Sequence, residues 1–232
     1  MSPPVKPRAL LSWSSGKDSA WALRELRARG EVDVVGLITT IDDARRVVAA
    51  HGIAVSLVEA QARAVGLPLR TVEVPWPSSN EVYEARMGEA FRAARADGVT
   101  GVAFGDLHLE DIRAYRERLL AGTGLAPIFP LWGSDTRELA RAMIAGGLRA
   151  QLVAVDTRQV HRDIAGRMFD EDLLAMLPPS CDPCGENGEF HTFAFDGPMF
   201  HAKVAVSVRS VHERDGFVFT ELVAPRSEER YG

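Results

Sequence analysis

Ser12-Trp13-Ser14-Ser15-Gly16-Lys17-Asp18-Ser19 stands where one kind of sequence gives way to another. Before it, Ala9 to Ser14 is a short apolar run ending in small polar residues, the pattern of a buried strand feeding a turn. After it, Ala20, Leu23 and Leu26 recur on one helical face, with Arg24, Glu25 and Arg27 opposite and Gly30 placed as a stop. The next run, Val34 to Ile38, is apolar on both faces, as a strand covered on both sides must be. The stretch is therefore a strand-to-helix turn inside a βαβ opening.

The alternation continues outward. The spacing predicts helices over 56–65, 80–96, 110–120 and 136–145, and strands over 69–74, 101–105, 126–131 and 152–155. Strands alternating with helices imply an α/β fold with a doubly wound, mostly parallel sheet, which takes its ligands beyond the carboxyl ends of the strands. The last quarter differs. Val204, Val206 and Val208 alternate with polar residues, and Asp215-Gly216 signals a hairpin before a strand over 217–222. A smaller, β-containing C-terminal domain is expected, with a soft boundary that places the α/β unit at 1–135 and the C-terminal unit at 136–232. The tail from Arg226 to Gly232 reads as solvated.

Composition narrows the class of protein. The chain has 232 residues, 46% hydrophobic and 25% charged, with a formal net charge of −5. A chain of this size and balance buries a sizeable core, and wholesale disorder is excluded. The acidic balance argues against broad nucleic-acid binding. Neither a secretory leader nor a membrane-spanning stretch is expected, and two cysteines suit a reducing cytoplasm.

In the turn itself, small residues let backbone N–H groups approach an anion, the helix start adds partial positive charge and Lys17 a full one. This is chemistry for holding phosphates. A Walker A loop would need Gly at Leu11 and Ser or Thr at Asp18, and a dinucleotide fingerprint would need glycines at Trp13 and Ser14, so both fail. Asp18 beside phosphates is tolerable where it caps the helix or meets a cation, which implies Mg²⁺. The bland alternative is a serine-rich helix cap with a surface lysine.

Ser14-Ser15-Gly16-Lys17-Asp18-Ser19 resembles the SGGxDS pyrophosphate-binding loop of the PP-loop ATP pyrophosphatases, or adenine nucleotide alpha hydrolases, with Ser15 in place of the first Gly. Three further segments resemble the diphthine–ammonia ligase family. Gly105-Asp106-Leu107 with Asp111 to Arg116 and Leu125 to Trp132 is similar to its central signature. Cys184-Gly185-Glu186-Asn187-Gly188-Glu189-Phe190-His191-Thr192, with Asp196-Gly197-Pro198, is similar to its second. Here Tyr115 is followed directly by Arg116, where the family usually has Gln first.

The resemblance implies that ATP is cleaved between its α and β phosphates, that a carboxylate acceptor becomes an acyl-adenylate, and that ammonia displaces AMP. Cleavage demands fixed donors on the pyrophosphate, for which Ser14, Ser15, Gly16, Lys17, Asp18 and Ser19 are the candidates. Oxygen ligands for Mg²⁺ would come from Asp18 and Asp106. Thr39 and Thr40, at the end of the second strand, and Gly105, at the end of the strand before Asp106, would line the nucleotide pocket; Trp76 is either a lid over adenine or packing. Attack by ammonia calls for a base. Glu189 and His191, two apart in an extended segment, share a face, and Glu186 is the alternative carboxylate; the bland reading is a solvated strand face. Cys184 would line the site, since the single Cys181-Asp182-Pro183-Cys184 offers too few ligands for zinc. Arg113 and Arg116 either orient the acceptor carboxylate or form surface ion pairs. His51 is a further family position or a loop histidine. The implied partners are ATP, ammonium and a carboxylate acceptor: diphthine on elongation factor 2, or another acceptor if the chain is bacterial, as its Ala and Arg richness suggests. A homodimer is compatible with all of this. A tRNA-modifying ATPase and a non-catalytic adenine-nucleotide-binding protein are the competing functions.

Overall fold

Residues 5–48 and 52–225 are described by a computed structural model. His51 and the tail from Arg226 lie outside the described residues. The chain opens with β1 (Arg8–Ser12), α1 (Lys17–Arg29) and β2 (Asp33–Asp42). A small hairpin, β3 (Val47–Val48) and β4 (Ile53–Ala54), leads into α2 (Val55–Val65) and β5 (Leu69–Val74). Then come α3 (Asn80–Ala96), β6 (Gly101–Ala103), α4 (Glu110–Leu120), β7 (Ala126–Ile128) and α5 (Thr136–Ala145). The remainder is β8 (Arg149–Asp156), α6 (Glu171–Met176), β9 (Phe190–Asp196), β10 (Ser207–Arg214) and β11 (Phe217–Val223).

The parallel strands lie in the order β5-β2-β1-β6-β7, with β3 and β4 joined antiparallel to the end of β2. Period-two alternation divides their side chains between two layers. Leu11, Leu37 and Ala103 pack with α1 and α2, whereas Leu10, Ile38, Val72 and Val102 pack with Met87, Phe91 and Ala94 of α3. The chain winds outward from β1 one way and then restarts at β6. The crevice between the carboxyl ends of β1 and β6 is thus the switch point of a doubly wound sheet. α1 ends as its sequence dictates: Gly30 takes φ 64 and its N–H bonds back to the Leu26 carbonyl.

The second sheet is antiparallel, ordered β10-β11-β8-β9. Two expectations fail here. Val204 belongs to no strand and is buried, while the hairpin strand begins at Ser207 and is exposed along its whole length. The alternation of valines there marks an edge strand, wet on both faces. The phenylalanine-rich β9, which the sequence shows only as an extended segment around Glu189 and His191, forms the edge of this sheet and packs against α1.

Candidate active site

The turn after β1 sits at the switch point. Ser15 adopts φ 70, a left-handed conformation that costs a non-glycine residue roughly 1 kcal/mol or more. Neighbours hold it there. The Ser15 carbonyl accepts the Ala194 N–H and Gln61 Nε2, both at 2.9 Å, and Gln61 Oε1 accepts the Trp13 indole N–H at 2.8 Å. Gln61 Nε2 also donates to the Ala194 carbonyl, and the amide is fully buried. Two residues on, the Lys17 N–H donates to Thr192 Oγ1 at 3.1 Å. Strand β9 and α2 therefore clamp the turn from behind. Gly105 permits the approach on the open side: a Cβ there would stand 3.0 Å from the Asp18 carbonyl carbon and the Ser19 nitrogen.

The turn opens onto a cavity of about 350 Å³, a volume that suits a nucleoside-sized ligand. Ser14 lines one end, Thr39 and Thr40 its floor, and Trp76 and Tyr83 its apolar wall, with Arg116 at the margin. Trp76 is 55% exposed, so it is a wall and not a core residue. Ser15 Oγ and Asp18 Oδ1 are buried at the turn with no hydrogen-bond partner. Orphaned polar atoms at a helix start are what a bound anion and its cation would satisfy.

Lys17 keeps its charge at the turn but directs it to neighbours within the protein. Its side chain is buried, its ammonium donates to Asp18 Oδ2 at 2.9 Å and to the Cys184 carbonyl, and it lies 5.6 Å from the ring centroids of both Phe169 and Phe190. Burial works against its charge, but Asp18 and Glu186 outweigh it and hold the pKa above the ordinary lysine value. Lys17 is a fixed positive charge joining the turn to the loop 181–189.

That loop is also organised differently from a wet strand face. Glu189 is buried and accepts the N–H groups of Asp182 and Asn187, at 2.7 and 2.9 Å, and Asn187 Nδ2 at 3.2 Å. Its carboxylate fixes the loop. His191 is half-buried in β9 opposite Ala154, so the two residues do not form a shared solvent face. Cys184 is buried, its thiol donates to the Thr136 carbonyl at 3.4 Å, and burial pushes its pKa to about 12. Cys181 is likewise pushed by burial to about 12. Both thiols are protonated at neutral pH.

Three carboxylates remain near the cleft: Asp18, Asp106 and Glu186. Asp106 is tied to Arg116 Nε at 3.4 Å; burial raises its pKa against the pull of Arg116, with Asp18 adding to the rise. Glu186 accepts the Leu107 N–H at 3.0 Å. Burial raises its pKa, Leu107 pulls down, and Asp18 and Asp106 push up again. Among the described residues no three His, Cys, Asp or Glu side chains are grouped to hold a metal by themselves.

The sequence left Gln61 and Thr192 without roles, although both hold the turn. A polar residue on the apolar face of an otherwise amphipathic helix, between Val58 and Val65, was the available signal for Gln61. Thr192 closes the second signature, but nothing local pointed to its contact with Lys17, 175 residues away in sequence.

Among the described residues no helix is long and apolar enough to cross a membrane. The sequence model of the diphthamide synthase N-terminal domain matches residues 7–127, and that of the diphthamide synthase C-terminal domain matches residues 135–222. Proteins named diphthine–ammonia ligase are similar along much of their length. The one from Danio rerio is 30% identical over 173 residues, covering 67% of this chain and 68% of its own. The one from Rattus norvegicus is 25% identical over 233 residues, covering 88% and 85%. The one from Homo sapiens is 27% identical over 177 residues, covering 69% and 66%. With both domain models matched in order, the chain belongs to the diphthamide synthase family.

Proposed function

We propose that the protein is an ATP-dependent ligase that joins ammonia to a carboxylate acceptor, releasing AMP and pyrophosphate, with diphthine, the substrate in its relatives' name, as the acceptor. The observation that carries this reading is the clamped turn at the switch point, where Ser15 Oγ and Asp18 Oδ1 are left without partners and Ser14 opens onto a nucleoside-sized cavity. Residues 1–135 form the nucleotide unit and 136–232 the acceptor unit.

The base and ribose occupy the cavity between Thr39, Thr40 and Trp76. The β and γ phosphates rest on the turn from Ser14 to Ser19, beside Gly105, where helix N–H groups and the buried Lys17 charge stabilise the departing pyrophosphate. Mg²⁺ fits Asp18 and Asp106, because it is typically held by one or two carboxylates with the substrate's phosphates completing the shell. When bound, it neutralises charge building on the phosphates.

The bookkeeping is simple. An acceptor carboxylate oxygen bonds to the α-phosphorus as the bond to the β-phosphate bridging oxygen breaks, giving acyl-adenylate and pyrophosphate. Ammonia then bonds to the acyl carbon, AMP leaves with the bridging oxygen, and the nitrogen loses one proton. Glu186 takes the proton that the attacking nitrogen of ammonia loses, since its raised pKa brings it nearer to that task than an ordinary glutamate. Glu189 and Cys184 hold the loop that carries it, and His191 enters only if Glu186→Gln retains turnover.

Purified protein incubated with ATP, Mg²⁺, ammonium and diphthine-bearing elongation factor 2 should release AMP and pyrophosphate in equal amounts, dependent on every component. ADP and phosphate as the products would refute the reading.

A further inference from the structure

Helix α4 faces the end of the parallel sheet with arginines in place of aliphatic side chains. Leu120 is its one fully buried residue. Arg116 lies 5.2 Å from the ring centroid of Phe104, and Arg113 lies 5.0 Å from that of Phe129 and 4.7 Å from that of Trp132. The rings make a continuous wall, with Phe104 stacked on Phe129 at 5.7 Å and Phe129 edge-on to Trp132 at 5.8 Å. Phe104 directly follows β6 and Phe129 directly follows β7. The wall therefore stands at the carboxyl ends of these strands, next to Asp106 and at the margin of the nucleotide cavity, where Arg116 forms part of the lining.

The protein leaves much of both arginines unspent. Arg116 Nε reaches Asp106 at a long 3.4 Å, and Arg113 Nε meets the exposed Glu117 at 2.9 Å. The Nη groups of both make no hydrogen bond among the described residues. A guanidinium stacked on a ring is fixed in orientation while its in-plane N–H groups stay available, an arrangement that suits a planar anion. The two arginines are one turn apart, on the same helical face.

We infer that this wall is the acceptor site: Arg116 and Arg113 hold the acceptor's carboxylate, and Phe129 and Trp132 carry the apolar or planar body attached to it. The inference rests on the ligase reading and adds to it the side chains that hold the acceptor's carboxylate and the body attached to it. The placement beside Asp106 brings the carboxylate to the open side of the turn, where the α-phosphorus must lie, and leaves the Trp76 side to the base.

The test needs no turnover. The protein, saturated with α,β-methylene-ATP and Mg²⁺, is titrated calorimetrically with 3-phenylpropionate and with its neutral amide. The acid should bind about tenfold more tightly than the amide, the margin of a charge-assisted bidentate contact. Arg116→Ala and Arg113→Ala should each abolish most of that preference. Arg116→Lys, which keeps the charge and loses the fork, should fail to restore it while keeping the wild-type circular dichroism. Equal binding of acid and amide, no acid binding, or a lysine variant that behaves like wild type would each overturn the inference. If the acid preference follows the arginines but elongation factor 2 elicits no AMP, the ligase reading falls and this site stands.

Discussion

The Lys17 backbone N–H donates to Thr192 Oγ1 at 3.1 Å, so the first turn of the first helix is completed by a strand 175 residues away. A helix start carries N–H groups without intrahelical partners. Here the second sheet satisfies one of them, which makes the shape of the turn from Ser14 to Ser19 depend on the docking of β9. Thr192→Val keeps the volume and removes the acceptor. It should cost about 1–2 kcal/mol in urea unfolding, the penalty of an unpaired buried donor, and raise the KM for ATP.

Gln61 tests the same dependence from the side of α2. Gln61→Leu leaves the Trp13 indole N–H without its acceptor and the Ala194 carbonyl without its amide donor. A loss of about 2–4 kcal/mol is expected for two such groups. Because Ser15 would also lose one of its two restraints, ATP binding should weaken more than the surrounding fold does, as calorimetry with α,β-methylene-ATP on the still-folded variant would show.

The carboxylate chemistry has a pH signature. The Glu186 pKa is raised by burial and by its acidic neighbours, so the ionised form that accepts a proton accumulates only above the ordinary glutamate range. Turnover measured at fixed free ammonia should therefore rise with pH through that elevated value. Glu186→Gln should abolish the acid limb and lower turnover by roughly 10²–10⁴-fold.

Asp156 gives the fold its own acid sensitivity. Its carboxylate accepts Arg158 Nε at 2.7 Å and Arg158 Nη2 at 2.9 Å, and these bonds hold the pKa at about 2, below its usual 3.8. A depressed carboxylate stabilises the folded state above its unfolded pKa and loses that contribution as pH falls through the folded one. Wild type should thus lose thermal stability between pH 3.8 and about 2 more steeply than Asp156→Asn, and matching slopes would show the pair to be without consequence.

The parallel half of the fold was legible because its signals are local. Helices α3, α4 and α5 fall where the spacing put them, and the structure adds Ser79 and Asp135 as the caps of α3 and α5. The turn from Ser14 to Ser19 was equally visible, since small residues and a lysine between a strand and a helix have few other uses. What stayed hidden depends on contacts distant in sequence. Lys17 reads as a charge at the turn, and only the fold shows Phe169, Phe190 and the Cys184 carbonyl enclosing it. Glu189 looks solvated until Asp182 and Asn187 fold over it. Val204 to Val208 alternate correctly for a strand, yet alternation cannot tell a half-buried strand from residues that fill a gap before one.

The central claim is that an acceptor carboxylate oxygen attacks the α-phosphorus of ATP held at the Ser14–Ser19 turn. The most direct measurement supplies an acceptor whose carboxylate carries ¹⁸O in both positions and weighs the AMP released in the presence of ammonium. The account predicts AMP carrying one ¹⁸O atom and an amide product retaining the other. Unlabelled AMP, or label appearing in pyrophosphate, would contradict it.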